Sequence, residues 1–162
     1  MTDDLTIDQK RALMQIKIKD MIEKCGCFCM GVFGDKDTPS WTYSIGIPTT
    51  VPGAAEIIVY GFDPNNASQA INIILDQMRN GRVFESGRAY DDILQGNLSV
   101  FFGRVEERHY YAHFGQAINY HGGIGFEVWQ LVWPDESGKF PWQTGFDEKL
   151  REAQPLLFEP EE

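Results

Sequence analysis

Three histidines, His109, His113 and His121, fall in one short stretch of the chain. His109 and His113 stand at i and i+4, a spacing that places both rings on one side of a helix. Two imidazoles so placed, completed by His121, Asp135 or Glu106, would make a zinc-type centre with an open position. The residues between them are Tyr110, Tyr111 and Ala112, so the glutamate base of an H-E-x-x-H protease is missing. The same pattern suits a plain packed aromatic helix face.

Cys25, Cys27 and Cys29 alternate. On a strand such residues share one face. Their spacing is not the C-x-x-C of zinc knuckles, and neighbouring same-face thiols meet disulfide geometry poorly. The expectation is small buried hydrophobes.

Trp133-Pro134-Asp135 invites comparison with the acid loop of tyrosine phosphatases. That chemistry needs a thiolate in a Cys-x5-Arg cradle, and no cysteine here is followed by such an arginine. Asp135 therefore reads as a turn aspartate bonding its own loop. Gly122-Gly123-Ile124-Gly125 precedes a strand, where a dinucleotide fingerprint would follow one. Asp91 and Asp92 are adjacent, so their side chains diverge in any regular structure. No Walker loop or nucleophile elbow is present.

The block Gln130 to Phe146 carries Trp133-Pro134-Asp135 and Phe140-Pro141-Trp142 around a polar tip. Proline fixes the backbone and Trp brings a large apolar area with one donor. Trp41, Tyr43, Trp129, Trp133, Phe140 and Trp142 would line a ligand pocket, with Asp135, Gln130 and Arg82 or Arg88 as polar contacts. The preferred reading of the same set is a second core that holds the C-terminal loop down.

Such residues need a frame. Asp8 to Lys24 reads as a helix, capped by Thr6 or Asp8 and stopped by Gly26. Phe28 to Phe33, Trp41 to Ile45 and Glu56 to Tyr60 read as strands of a meander, with Trp41, Tyr43 and Ile45 on one face. Gly46 to Gly53 reads as a loop. Ala67, Ala70, Ile71, Ile74, Leu75 and Met78 recur at helical steps, ended by Asn80-Gly81. Arg82 to Gln95 reads as a strand edge and a helical turn. Leu98 to Val105 is a strand with a bulge at Gly103. A helix over His109 to Asn119, broken at Gly115, a strand over Phe126 to Val132 and a short helix over Asp147 to Ala153 complete the pattern. The expected fold is α+β: one domain, a mostly antiparallel or mixed sheet, two or three packed helices.

The chain has 162 residues, 43% of them hydrophobic, with net charge −10. This length suits one domain with a real core. Phosphate backbones repel such a surface, so direct nucleic-acid binding is disfavoured. Carboxylates concentrate only at the ends, Asp3-Asp4 and Glu159 to Glu162, which argues against nucleic-acid mimicry. No apolar run is long enough to span a bilayer and no signal-peptide pattern opens the chain. The cytoplasm is the expected location.

Several blocks carry a resemblance. Trp41-Thr42-Tyr43-Ser44-Ile45-Gly46 is similar to W-x-Y-T-I-G-L, and Glu56-Ile57-Ile58-Val59-Tyr60-Gly61 to P-E-L-I-V-F-G-L. Gln130 to Asp135, with Gly138, Phe140-Pro141-Trp142 and Gln154-Pro155-Leu156-Leu157, resembles a Q-L-V-W-P-D…G-x-F-P-W…Q-P-L-L ending. The ordered set resembles the bacterial domain of unknown function 4262 family from about Phe28 to Leu157. Ser44 and Ala55 depart from the pattern, where threonine and proline are usual. The resemblance implies a bacterial-type cytosolic domain and transfers no activity, cofactor or catalytic residue.

The expected division is a helix over 1–24, an α+β domain over 25–158 and an acidic tail over 159–162. The leading functional expectation is a protein-interaction or regulatory domain that uses the Trp133 to Trp142 loop. The alternative is a small-molecule or enzymatic site between the Trp41 strand and that loop, metal-assisted through His109 and His113. Both a protein partner and a small-molecule ligand stay open, and the sequence names no cofactor.

Overall fold

The computed structural model describes residues 5–94, 96 and 98–160. Asp3, Asp4, Gln95, Glu161 and Glu162 lie outside the described residues. Six strands form one sheet in the order β1-β2-β3-β6-β5-β4. They are β1 (Phe28–Val32), β2 (Trp41–Ile45), β3 (Glu56–Tyr60), β4 (Arg88–Tyr90), β5 (Val100–Arg104) and β6 (Val128–Val132). Neighbours are antiparallel except β3 and β6, which are parallel. The fold is α+β with a mostly antiparallel mixed sheet.

The helices are α1 (Ile7–Cys25), α2 (Ile47–Thr50), α3 (Pro64–Arg79), α4 (Tyr110–His113) and α5 (Gly115–His121). Thr6 and Gln9 close a capping box at the start of α1, and left-handed Gly26 ends it. Asp63 caps α3, with Pro64 in its first turn. The 3.6-residue stripe of α3 buries Ala67, Ile71, Ile74 and Leu75 against Ile57, Val59 and Leu131 on one sheet face. Ile18 and Ile22 of α1, with Phe114 and Ala117, cover Tyr43, Ile45, Ile58 and Tyr60 on the other. Covered on both faces, β3 is buried throughout. Each isoleucine there contributes roughly 1.5–3 kcal/mol by leaving water.

Several expectations change. The loop after β2 contains the short helix α2. Gly103 makes no bulge: the β5–β6 register runs unbroken from Phe101 to Arg104. The helix over the first two histidines breaks at Phe114, and His109 lies in a 3-10 turn before it. The expected helical turn after Arg82 is a run of bends beyond β4, and the one over Asp147 to Ala153 shortens to a 3-10 turn at Glu148–Leu150. Cys25 ends α1 and is exposed, so only Cys27 and Cys29 join the α3 face.

Candidate functional site

The three histidines do not converge. His113 is locked by both ring nitrogens. Nδ1 lies 2.9 Å from the His109 carbonyl, which can only accept, so Nδ1 donates. Nε2 then accepts from the Tyr60 hydroxyl at 2.6 Å. Trp41 packs on the His113 ring and donates its indole N–H to the His113 carbonyl. Burial pushes the Tyr60 pKa up to about 12, so the phenol remains the donor. His109 stays near His113, its pKa lowered first by burial and then by Arg108 and His113. This cluster fastens α4 to the end of β3. Among the described residues, no three His, Cys, Asp or Glu side chains converge as metal ligands.

His121 meets the opposite end of β3. Its Nε2 lies 2.8 Å from Oε2 of Glu56, whose side chain is 1% exposed. Glu56 Oε2 also accepts from Gly46 N–H, and Oε1 accepts from Ile47 N–H. Ser44 completes the set: its oxygen accepts from Ile57 N–H, so its hydrogen goes to Glu56 Oε1. Glu56 and Tyr60 are four residues apart on a strand, about 13 Å. The two histidine clusters are therefore separate.

The Trp133 to Trp142 loop is folded down. Asp135 Oδ1 accepts from the Ser137 hydroxyl and from the Ser137 and Lys139 amides, and Oδ2 from the Asp147 amide. These donors, the Ser137 hydroxyl first, hold its pKa down to about 2. Trp133 donates its indole N–H to the Tyr60 carbonyl at 2.7 Å. Gln154 bonds the Trp133 amide and carbonyl, and Gln130 bonds the Pro155 carbonyl and the Leu157 amide. Phe140 is buried and stacks on half-buried Trp142, which packs on Phe101 and Phe158.

A hollow of about 290 Å³ opens at the end of β3. Trp41, Phe62, Phe33 and Pro64 line it together with the glycines Gly31 and Gly61. Trp133 stands behind it, stacked on Phe62 and pressed onto Gly61. Tyr43 lies in the core beneath α5. Trp142 lines a separate cleft of about 460 Å³ with Arg104, Glu106 and Phe158. Arg82 and Arg88 stack on Tyr90 near the far sheet edge. The expected aromatic set is thus divided among places that share no single pocket.

Sequence reasoning read Glu56 only as a strand residue. Its signal was a charge opening a run of β-formers in a central strand. A fully buried glutamate needs partners, and an imidazole is a natural one.

A family model described as "Domain of unknown function (DUF4262)" matches residues 21–147. No curated protein and no solved structure matches the chain. With the match spanning most of its length and both histidine clusters, the chain belongs to the DUF4262 family.

Proposed function

We propose that the domain binds a small neutral ligand with one flat apolar ring in the hollow beside Trp41. The observation that carries this reading is an aromatic lining beside a side-chain-free strand position: Trp41, Phe33 and Phe62 share the hollow with Gly31, where an added Cβ would meet only Pro64. The volume is at the small end for ligand sites, which favours a single ring-sized group. Phe33, 84% exposed, is a large apolar surface that a ligand would cover. The acidic chain disfavours anions.

The loop as an interaction surface has less support. Phe140 is buried, and Asp135 spends both oxygens on donors from Ser137, Lys139 and Asp147. The loop reads better as the scaffold that presses Trp133 onto Gly61.

The test is titration with benzyl alcohol, a neutral single-ring probe, read by the chemical-shift change of the Trp41 indole N–H in nuclear magnetic resonance. Gly31 has ordinary strand geometry, and a Cβ added there would meet only Pro64, at 3.9 Å. Gly31→Leu should fill the hollow and weaken binding about 10-fold or more, on the scale of ~1.4 kcal/mol. Equal binding by the variant and the parent overturns the reading. Native mass spectrometry of the purified protein, compared with its denatured mass, would reveal a ligand carried through purification.

A further inference from the structure

Thr42 of β2 is 2% exposed and carries a hydroxyl that nothing in the described protein bonds. The other buried polar side chains, Ser44, Glu56, Gln130, Asp135 and Gln154, are all hydrogen-bonded within the chain. Nor is the Thr42 oxygen sealed in: among the described residues the one fully buried side-chain N or O without a partner is Trp129 Nε1. Thr42 Oγ1 therefore reaches open space, and the open space that Thr42 lines is the hollow at the end of β3. Its cross-strand neighbour there is Gly31, so no side chain screens the hydroxyl from that side. Pro64, at the start of α3, is what a Cβ on Gly31 would meet first. Ser40, two residues before Thr42, lines the same hollow. Its oxygen accepts from Gly34 N–H at 2.8 Å, and its hydrogen is committed to no partner among the described residues.

A buried hydroxyl left unpaired is costly, and folded chains bond nearly all such groups. Ser44, two residues on along the same strand face, shows the usual outcome, with its hydroxyl shared between Glu56 and Ile57. At Thr42 the missing partner is one that a ligand in the hollow would supply. The lining holds the Asp63 carboxylate and no Lys, Arg or His, so the group that meets Thr42 is uncharged. Asp63 itself is spent on α3, where its two oxygens bond the Asn66 amide and side chain. We infer that Thr42 is the specificity-determining residue of the hollow, and that the ligand class is a flat ring bearing a neutral oxygen, an aromatic alcohol in the simplest case. The inference rests on the ring-binding reading of the same hollow and adds the polar group the ligand must carry. An analogue without that oxygen leaves the Thr42 hydroxyl unpaired, which is how the site would tell the two apart.

The experiment titrates the full chain and its Thr42→Val variant with benzyl alcohol and with ethylbenzene, which carries a methyl in place of the hydroxyl. Binding is read from the Gly31 amide in nuclear magnetic resonance. Valine keeps the β-branched shape and removes only the hydroxyl. Thr42→Val should weaken benzyl alcohol about 5-fold, the scale of one neutral hydrogen bond, and leave ethylbenzene equal or tighter. Benzyl alcohol that loses no more than ethylbenzene overturns this inference and leaves the ring-binding reading standing; that is also the result expected of a hydroxyl that meets only solvent. Neither probe binding the parent overturns the ring-binding reading, and this inference with it. A second measurement checks that the hydroxyl is not spent on the fold. Without ligand, Thr42→Val should melt at or above the parent's temperature, since no bond within the described protein is lost. A variant that melts several degrees below the parent overturns the inference.

Discussion

The Phe158 ring occupies the space that a side chain on Gly103 would need. A Cβ built on Gly103 would lie 2.2 Å from the ring. Gly103 sits in unbroken register opposite Gln130 of β6, so the missing side chain serves packing and not a bend. The terminal segment lies across the sheet at this point, held by the Gln130 amide and by Glu106 N–H bonding the Leu157 carbonyl.

Gly103→Ala should therefore destabilise the fold by about 1–3 kcal/mol through overpacking. Phe158→Ala should also destabilise, through the apolar area and contacts it removes. Combined, the two should cost less than their sum, because the alanine methyl enters the space the ring vacates. Urea unfolding of the parent, both single variants and the double variant measures the coupling.

Ser44→Ala removes the donor to Glu56 Oε1 and the acceptor of Ile57 N–H. The expected loss is about 1–3 kcal/mol. Glu56→Ala should cost more, on the order of 3–5 kcal/mol, since every donor around the carboxylate loses its partner. Chemical denaturation reads both, and a Glu56→Ala variant as stable as the parent would contradict a buried, fully bonded carboxylate.

Asp135 gives an acid-side signature. Its folded pKa, about 2, lies below the ordinary aspartate value. The stabilisation is present above the unfolded pKa of about 3.9 and is lost as pH falls through the folded value. The melting-temperature gap between the parent and Asp135→Asn should be widest above about pH 5 and shrink toward pH 2. A constant gap across that range would show that the loop donors do not depend on the charge.

Tyr43 and Tyr60, which burial pushes up to about 12, contribute to the alkaline side, alongside Tyr110, which burial also raises. A raised folded pKa gives stability that is complete below the unfolded value, about 10, and lost as pH rises through the folded one. Stability should therefore decline from about pH 10 upward, and less steeply in Tyr60→Phe. At neutral pH that variant should lose about 1–2 kcal/mol, since His113 Nε2 loses its donor. Melting curves across pH 7–12 check both effects, alongside ultraviolet titration of the phenols.

Much of the frame was legible because it rests on local physics. Trp41 to Ile45 and Glu56 to Tyr60 are rich in β-formers and their bounds match the strands residue for residue, although the alternation in Trp41 to Ile45 meets a strand buried on both faces from Thr42 onward. Thr6, Gly26 and Asn80 mark helix ends through backbone bonds made within a few residues. The histidine pair read differently. An i, i+4 spacing says two rings can meet, but the His109 carbonyl and the Tyr60 hydroxyl claimed both His113 nitrogens first. Gly103 looked like a bulge because a glycine in a strand has several causes, and the deciding ring lies 55 residues later, at Phe158.

The sequence by itself determined the strands, the two long helices, the α+β class and, through its ordered motifs, the family. These follow from periodicity, caps and short-range backbone bonding. Only the tertiary structure decided that Glu56 meets His121, that Tyr60 meets His113, and that the Trp133 loop turns inward. Each of those pairings spans tens of residues, and a buried charge or lone pair takes whatever donor the fold delivers. Local propensity carries no information about which donor that will be.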